Sequence, residues 1–242
     1  SGLRDFPFGW LVELASGTEC KVFPALARQV GRPLEPDGEP VGDEIAGAEH
    51  YHAGAAAYWS KGADGIYLPW FNSPIKAPDR HILSEINDPG LLAQKTKHYV
   101  VYGHNATAAS CGYTAQLPVH LVSGTDAPGQ EVSLFIADDP DRADATLRVR
   151  LRFTTVHDSL TVSLNGHPLP NETCRREPHG YTPMEAPQPG ISSAAYTWLE
   201  YPVPRGTLQK GANEVGVAIH ARPPNLQGQV VLGRLDLIVT YP

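Results

Sequence analysis

The spacing of apolar residues changes once along this chain, from a helical period before about residue 110 to a strict alternation from about Leu117. Apolar residues three or four positions apart line one face of a helix, whereas apolar residues at every second position line one face of a strand. A chain that changes its period in this way holds two architectures in succession. The sequence therefore predicts an α/β domain over residues 1–110 and an all-β domain over residues 111–242.

The first region shows the pattern of one helix between two short apolar strands. Residues 20–26 and 65–71 are apolar and bounded by turn signals, as buried strands are. Between them, Asp43 suits the N-cap of a helix whose apolar stripe reaches Trp59, and Gly62 suits its end. A strand–helix–strand order calls for parallel pairing, but two strands are too few to close a barrel. We therefore predict a truncated (β/α) barrel.

The second region is predicted to be an antiparallel β-sandwich, or jelly roll. Its alternating segments are short, regular and separated by turns. They are residues 132–136, 147–153, 160–164, 215–219 and 235–241. Residues 167–195 break this rhythm as a long polar segment, which we predict to be a loop, and loops of this length are often functional. A surface insertion or an oligomer contact is the alternative interpretation of that segment.

Charge and cysteine content exclude several classes of function. The formal net charge of −7 disfavours nucleic acid as a partner, because binding a phosphate backbone needs an excess of lysine and arginine. No apolar run is long enough to span a bilayer and no signal peptide opens the chain, so we expect a soluble protein of undetermined compartment. An odd number of cysteines without a CxxC spacing argues against a disulfide framework or a zinc site. His50 and His52 point to different helix faces, so neither metal nor cofactor is predicted.

Several short motifs together resemble a known class of protein. They are Gly62-Ala-Asp-Gly-Ile-Tyr-Leu68, Leu83-Ser-Glu-Ile-Asn-Asp-Pro89, Leu164-Asn-Gly166, Trp198 and Gly211-Ala-Asn213. This set resembles the C-terminal part of bacterial glycoside-hydrolase-like proteins, which have a TIM barrel followed by a galactose-binding-like jelly roll. The resemblance implies a carbohydrate-related role. Residues 23–26, at the end of the strand that would be the seventh of the barrel, contain no carboxylate, so the usual catalytic pair is not carried over.

The candidate substrate-binding residues come from two places. Trp70, Phe71 and Asn72 follow the second apolar strand, and sites on barrels of this kind lie where strands end. Trp70 has a ring for stacking on a sugar, and packing of that ring against the sandwich is the structural alternative. The long polar segment supplies the other candidates, which are Arg176, His179 and Tyr181.

Three carboxylates are candidates for catalysis. A glycosidase needs two carboxyl groups roughly 5 to 9 Å apart, and a single sequence does not show which ones converge. Glu13 has Trp10 as an aromatic neighbour, Asp79 follows the second strand but also suits a helix cap, and Glu177 lies in the long segment.

Two functions remain open at this point. The first is a glycoside hydrolase acting on small glycosides or oligosaccharides, with its incomplete barrel completed by the long segment or by a neighbouring subunit. The alternative is a non-catalytic carbohydrate-binding or structural module of a larger enzyme. Because a two-strand fragment leaves strand edges and apolar faces uncovered, we also predict a homo-oligomer of two or three subunits.

Overall fold

A computed structural model of the protein describes residues 7–26, 29–30, 44–69, 80–102, 108–109, 112–179, 196–226 and 229–242. The helices of these ranges are α1 (Phe8–Ala15), α2 (Ala48–Ser60), α3 (His81–Glu85) and α4 (Pro89–Leu92). The strands are β1 (Gln29–Val30), β2 (Glu44–Ile45), β3 (Lys97–Val101), β4 (Val119–Leu121), β5 (Gln130–Ile136), β6 (Asp144–Arg152), β7 (Ser159–Leu164), β8 (His167–Pro168), β9 (Arg175–His179), β10 (Tyr196–Val203), β11 (Gly211–Ala221) and β12 (Val230–Thr240).

Two antiparallel sheets pack face to face as a β-sandwich. The larger sheet has the order β3-β12-β6-β10-β9, with β4 also paired to β12, and the smaller sheet has the order β5-β11-β7-β8. Alternation along β6 places Leu147, Val149 and Leu151 in the core, where they share one apolar cluster with Val215 and Val217 of β11. The sandwich predicted from the period of two is thus confirmed.

Two of the motifs act through turn and hydrogen-bond chemistry. Asn165 and Gly166 have φ angles of 51° and 78° and form the turn between β7 and β8, which is the role that an Asn-Gly pair favours. Asn213 is fully buried, and its amide group bonds to the main chain of Gln209 and Gly211 and to the side chain of Asn165. Both motifs therefore stabilise the sandwich.

The described residues before Lys97, which we call the N-terminal layer, contain two extended segments, one on either side of α2, that are joined by a single bridge. Ala25 and Tyr67 form a parallel bridge. The amide of Leu26 donates to the carbonyl of Tyr67, and the amide of Tyr67 donates to that of Pro24, each over 2.9 Å. The predicted parallel pairing across α2 is present as this one bridge and does not by itself make a barrel. The prediction of buried strands at residues 20–26 and 65–71 is wrong for the described residues, which form no strand and leave Phe23 and Tyr67 57 % and 59 % exposed.

Helix α2 begins later than predicted. Its N-cap is Gly47, not Asp43, which lies outside the described residues. The physical reason is that the main chain of β2 pairs antiparallel with β1 and so is not available for a helical turn. The predicted end is confirmed, because α2 stops at Ser60 and Gly62 has a φ of 89°.

The larger sheet begins before the predicted domain boundary at residue 110. Strand β3 pairs antiparallel with β12, with Lys97 opposite Val239 and Val101 opposite Leu235. On the outer side of β3, Val100 shares an apolar core with Tyr51 and other residues of the N-terminal layer. The layer is therefore packed onto the sandwich through β3.

Part of the predicted long loop is a strand. Residues Arg175–His179 form β9, which pairs antiparallel with β10 at the edge of the larger sheet. Arg176, Glu177 and His179 were predicted to lie in an irregular loop, and this prediction is wrong. The free edge of β10 presents main-chain donors and acceptors, and β9 pairs with them. Residues 180–195 lie outside the described part of the chain.

Candidate functional site

The outer side of the larger sheet carries a cluster of arginines, aromatic rings and carboxylates, which we call the arginine–tryptophan face. Because side chains alternate along each strand, one set of positions on β6, β9, β10 and β12 shares this side. Its members are Arg148, Arg150, Arg152, Arg175, Glu177, Tyr196, Trp198, Glu200, Arg234 and Asp236.

Cross-strand register brings the central members into one row. Trp198 lies opposite Glu177 of β9 on one side and opposite Arg150 of β6 on the other. Arg150 is in turn opposite Arg234 of β12. Directly opposed residues on one side of an antiparallel sheet have Cβ atoms roughly 5 Å apart, so the row is a continuous surface across four strands.

Trp198 is the centre of the arginine–tryptophan face. The guanidinium carbons of Arg148, Arg234 and Arg150 lie 4.5, 5.5 and 6.0 Å from its ring centroid, within the range of cation–π interaction. Tyr196 meets the same ring edge-on at 6.3 Å. Trp198 is only 6 % exposed and Arg234 only 3 %, so the half-buried Arg148 and Arg150, and not the indole, form the outermost surface here.

Ion pairs fix several of these arginines. Arg148 Nε lies 3.3 Å from Glu200 Oε2, and their side chains are 23 % and 30 % exposed. Arg234 makes a two-bond contact with Asp236, over 2.5 and 2.8 Å. Burial raises the pKa of Asp236, but the charge of Arg234 and hydrogen bonds from His98 and Arg234 outweigh this effect and lower the pKa to about 2. Asp236 is therefore a fixed negative charge beneath the face.

A second polar cluster lies where α2 crosses β3. The imidazole rings of His50 on α2 and His98 on β3 stack with centroids 4.1 Å apart and planes inclined by 26°. Nε2 of His98 lies 3.0 Å from Oδ2 of Asp236, so this cluster joins the arginine–tryptophan face. Glu49 lies beside His50, with its Oε1 3.6 Å from Nδ1 of the ring. The sequence predicted no metal-ligating group, and nothing in the spacing of these residues indicates that they meet.

The other side of α2 carries a buried network with a structural role. His52 Nε2 lies 2.8 Å from Glu85 Oε2, and Lys95 Nζ lies 2.5 Å from Glu85 Oε1. Burial raises the pKa of Glu85, but the hydrogen bonds from Lys95 and His52 outweigh it, so the net shift is downward. The network ties α2 to α3 and to the segment before β3.

The predicted substrate-binding residues are only partly described. Trp70, Phe71, Asn72 and Tyr181 lie outside the described residues, and of His179 only the main chain, paired with Tyr196, is described. Arg176 is on β9, but it is on the opposite side from Glu177, and its guanidinium donates to the carbonyl of Thr155 over 3.2 Å. Arg176 therefore does not belong to the arginine–tryptophan face.

Of the three predicted catalytic carboxylates, two are described. Glu13 is exposed on α1, and Asp79 lies outside the described residues. Glu177 is the one predicted carboxylate on the arginine–tryptophan face, where it is directly opposite Trp198 and hydrogen-bonded by Arg175.

An open groove lies at the end of the second extended segment. It has a volume of about 560 Å³ and is bordered by Ile66, Leu68, Leu83, Ile86 and Leu91, with Ser84, Asn87 and Asp88 as polar neighbours. Residues 70–72, where a site was predicted, lie outside the described residues. Asp88 also serves as the N-cap of α4, because its side chain accepts hydrogen bonds from the amides of Gly90 and Leu91.

Sequence reasoning missed the arginine–tryptophan face as a site. The alternation of Arg148, Arg150 and Arg152 is visible in the sequence, and so is that of Tyr196, Trp198 and Glu200. Two strands that carry polar or aromatic residues at every second position indicate a sheet side that is a candidate for binding. The register between the two strands, however, is not given by a single sequence.

No protein-family model matches this chain, and no curated protein matches it with significance. Within the described ranges, every helix is too short or too polar to cross a bilayer.

Proposed function

We propose that the arginine–tryptophan face binds carbohydrate and that the chain acts as a carbohydrate-binding module. The observation that carries this proposal is the row Glu177–Trp198–Arg150–Arg234, which spans four adjacent strands on one side of a sheet. Guanidinium and carboxylate groups offer the paired donors and acceptors that sugar hydroxyls need. Trp198 is covered, so the half-buried ring of Tyr196 is the one that offers apolar contact for a pyranose. The strands hold these groups rigidly, so little conformational freedom is lost on binding.

The charge of the face favours an acidic sugar. Its arginines outnumber its carboxylates: Arg148, Arg150, Arg152, Arg175 and Arg234 stand against Glu177, Glu200 and Asp236. The whole chain has a formal net charge of −7, so this surface is a local exception. An arginine fork binds a carboxylate through two parallel hydrogen bonds. A uronic acid would therefore bind more tightly than its neutral counterpart.

We also propose that the N-terminal layer is the end of a (β/α) barrel and that the sandwich is a jelly roll of the galactose-binding type. The parallel pairing of residues 24–26 with Tyr67 across α2 supports the first part. The Asn-Gly turn and the buried Asn213 support the second.

Calorimetry with oligosaccharides that differ only in a uronic acid carboxylate tests the proposed function. Arg150→Ala and Glu177→Gln should each weaken binding about tenfold or more, since each removes a charge-assisted contact. Arg205→Ala is the matched control, because Arg205 is an exposed arginine paired with Asp144 outside the face. Equal affinity of both face variants and the control, or no binding of any acidic or neutral oligosaccharide, would contradict the proposal.

A glycoside hydrolase is the second candidate, and one observation favours it. Glu177 and Glu200 lie on the same side of neighbouring strands, two positions out of register, because Glu200 is opposite Arg175. Such diagonal neighbours have Cα atoms roughly 7–8 Å apart, so their side chains can place the two carboxyl groups at the roughly 5–9 Å separation that glycosidases use. Each carboxylate has an arginine partner, which suits a fixed anion better than a proton donor.

A screen with nitrophenyl glycosides separates the two functions. Turnover that is lost in both Glu177→Gln and Glu200→Gln, and kept in Arg205→Ala, would support hydrolysis at this face. Carbohydrate binding without turnover would support the binding module.

A further inference from the structure

We propose that Glu49, His50 and His98 form a binding site for a divalent transition-metal ion, with Zn²⁺ as the best match. One ligand atom from each residue lies within 4.8 Å of the other two. Two imidazoles and one carboxylate make a ligand set that zinc accepts, with water in the fourth position. The metal proposal does not depend on carbohydrate binding, although Asp236 belongs to the arginine–tryptophan face and contacts His98.

The fold explains why these residues meet and how an ion reaches them. Glu49 and His50 lie in the first turn of α2, and His98 lies on the side of β3 that α2 covers. Both histidines are buried, at 3 % and 6 % exposure, whereas the Glu49 side chain is 42 % exposed. The carboxylate therefore faces solvent and gives the ion its route, while the imidazoles close the inner side.

His98 has a carboxylate hydrogen-bonded to its other ring nitrogen, as metal-binding histidines almost always do. Its Nε2 lies 3.0 Å from the carboxylate of Asp236, which is itself held by Arg234. A carboxylate in this position accepts the Nε2 proton, orients the ring and leaves Nδ1 as the ligand nitrogen. Glu49 and Asp236 together carry one more charge than Arg234 compensates, so the surroundings favour a cation.

Binding requires a small local rearrangement. Zinc–nitrogen and zinc–oxygen bonds are about 2.1 Å, so two ligand atoms on one ion are at most about 4.2 Å apart. A nitrogen lone pair lies in the plane of its ring, and the stacked rings of His50 and His98 must therefore open. Nδ1 of His50 also accepts the amide of Gly47 over 3.1 Å, a bond that coordination through this atom would replace. We expect micromolar affinity, below that of a rigid site.

Titration of the whole chain with Zn²⁺ and with Co²⁺ tests the proposal. Calorimetry should show one ion per chain, and Co²⁺ should give the visible absorption of a four-coordinate N/O site. At a metal concentration about 100 times Kd, the melting temperature should rise by roughly 5–10 °C.

Substitutions assign the ion to this site. Glu49→Gln changes a half-exposed side chain and should keep the fold while weakening binding at least tenfold; His98→Gln should abolish the cobalt spectrum. His157→Gln is the control, because His157 is an exposed histidine in the turn between β6 and β7. Absence of binding by either metal overturns the proposal. So does unchanged affinity in Glu49→Gln, a measurement that stands even if His98→Gln fails to fold.

Discussion

Replacement of Asn213 on β11 by alanine should strongly destabilise the sandwich. The side chain is fully buried and makes four hydrogen bonds. Nδ2 donates to the carbonyls of Gln209 and Gly211 over 2.7 and 3.2 Å, and Oδ1 accepts from the Gln209 amide and the Asn165 side chain, each over 2.9 Å. These bonds hold the turn before β11 against the turn after β7.

The expected cost follows from that inventory. Each hydrogen bond contributes about 1 kcal/mol net, and a buried group left without a partner costs more. Asn165 keeps its bonds to the carbonyl of Thr207 and the amide of Glu214, so its loss is partial. The amide and carbonyl of Gln209 lose these side-chain partners entirely. We expect Asn213→Ala to lower the free energy of unfolding by about 3–4 kcal/mol and the melting temperature by roughly 10 °C.

Urea unfolding followed by tryptophan fluorescence measures this change, with circular dichroism as the second probe of two-state behaviour. Asn225→Ala is the control, since Asn225 is exposed in the turn after β11, and its effect should stay within about 0.5 kcal/mol. Asn213→Asp keeps the shape but places a carboxylate against the carbonyls of Gln209 and Gly211, and should cost at least as much as alanine at neutral pH. A loss below about 1 kcal/mol for Asn213→Ala would refute the assigned role.

Three further outcomes are expected. The folded-state pKa of Asp236 lies at about 2, below its ordinary 3.8, so its contribution to stability is present above pH 3.8 and is lost as the pH falls towards 2. Urea unfolding measured across this pH range should show that Asp236→Asn removes about 2 kcal/mol of the pH dependence of the unfolding free energy. Lys97→Met should cost about 3 kcal/mol in the same assay, because the buried ammonium lies 2.6 Å from Asp138, which then lacks its cation. Trp10 and Leu14 on α1 are 58 % and 60 % exposed, so we propose that the protein self-associates through this helix. Sedimentation should show a mass that is a multiple of 26.1 kDa, and Leu14→Glu should reduce it to that of the monomer. A monomeric wild-type protein would contradict this proposal.

The sandwich was predictable because its main strands have one side that faces solvent and one side that faces the core. Leu147, Val149 and Leu151 alternate with arginines, and that local pattern alone identifies β6. Strand β3 lacks the pattern, since all five of its residues are buried: one side faces the core and the other faces α2. A strand covered on both sides has no alternation to read, so the sequence did not indicate that the larger sheet includes residues 97–101.

Strand β9 also lacks the alternation that identifies a strand, but for a different reason. Its sequence, Arg175-Arg-Glu-Pro-His179, has no apolar side, because it lies at the sheet edge. Proline is tolerated there, since an edge strand leaves some of its main-chain positions without a neighbour. The identity of β9 comes from the partner it pairs with, and a single sequence does not state partners.

The candidate site depends on register even more than the fold does. Trp198 meets Arg150 and Arg234 only because β10, β6 and β12 are aligned as they are, and a slip of one residue would turn each side chain to the other side. The same holds for His50 and His98, which come from a helix and a strand. Composition showed that these residue types were present; tertiary structure decided which of them meet.

The position of β12 has a consequence for how the protein is made. This strand is the last one among the described residues, yet it lies inside the larger sheet, paired with β3, β4 and β6. The contact between His98 and Asp236 joins residues 138 positions apart. During translation, the edges of β3 and β6 that pair with β12 therefore stay unpaired until residues 230–240 have been synthesised. Closing such a long loop is slow. A premature stop codon before residue 230 would leave Arg150 and Trp198 in the polypeptide and still abolish the surface they form.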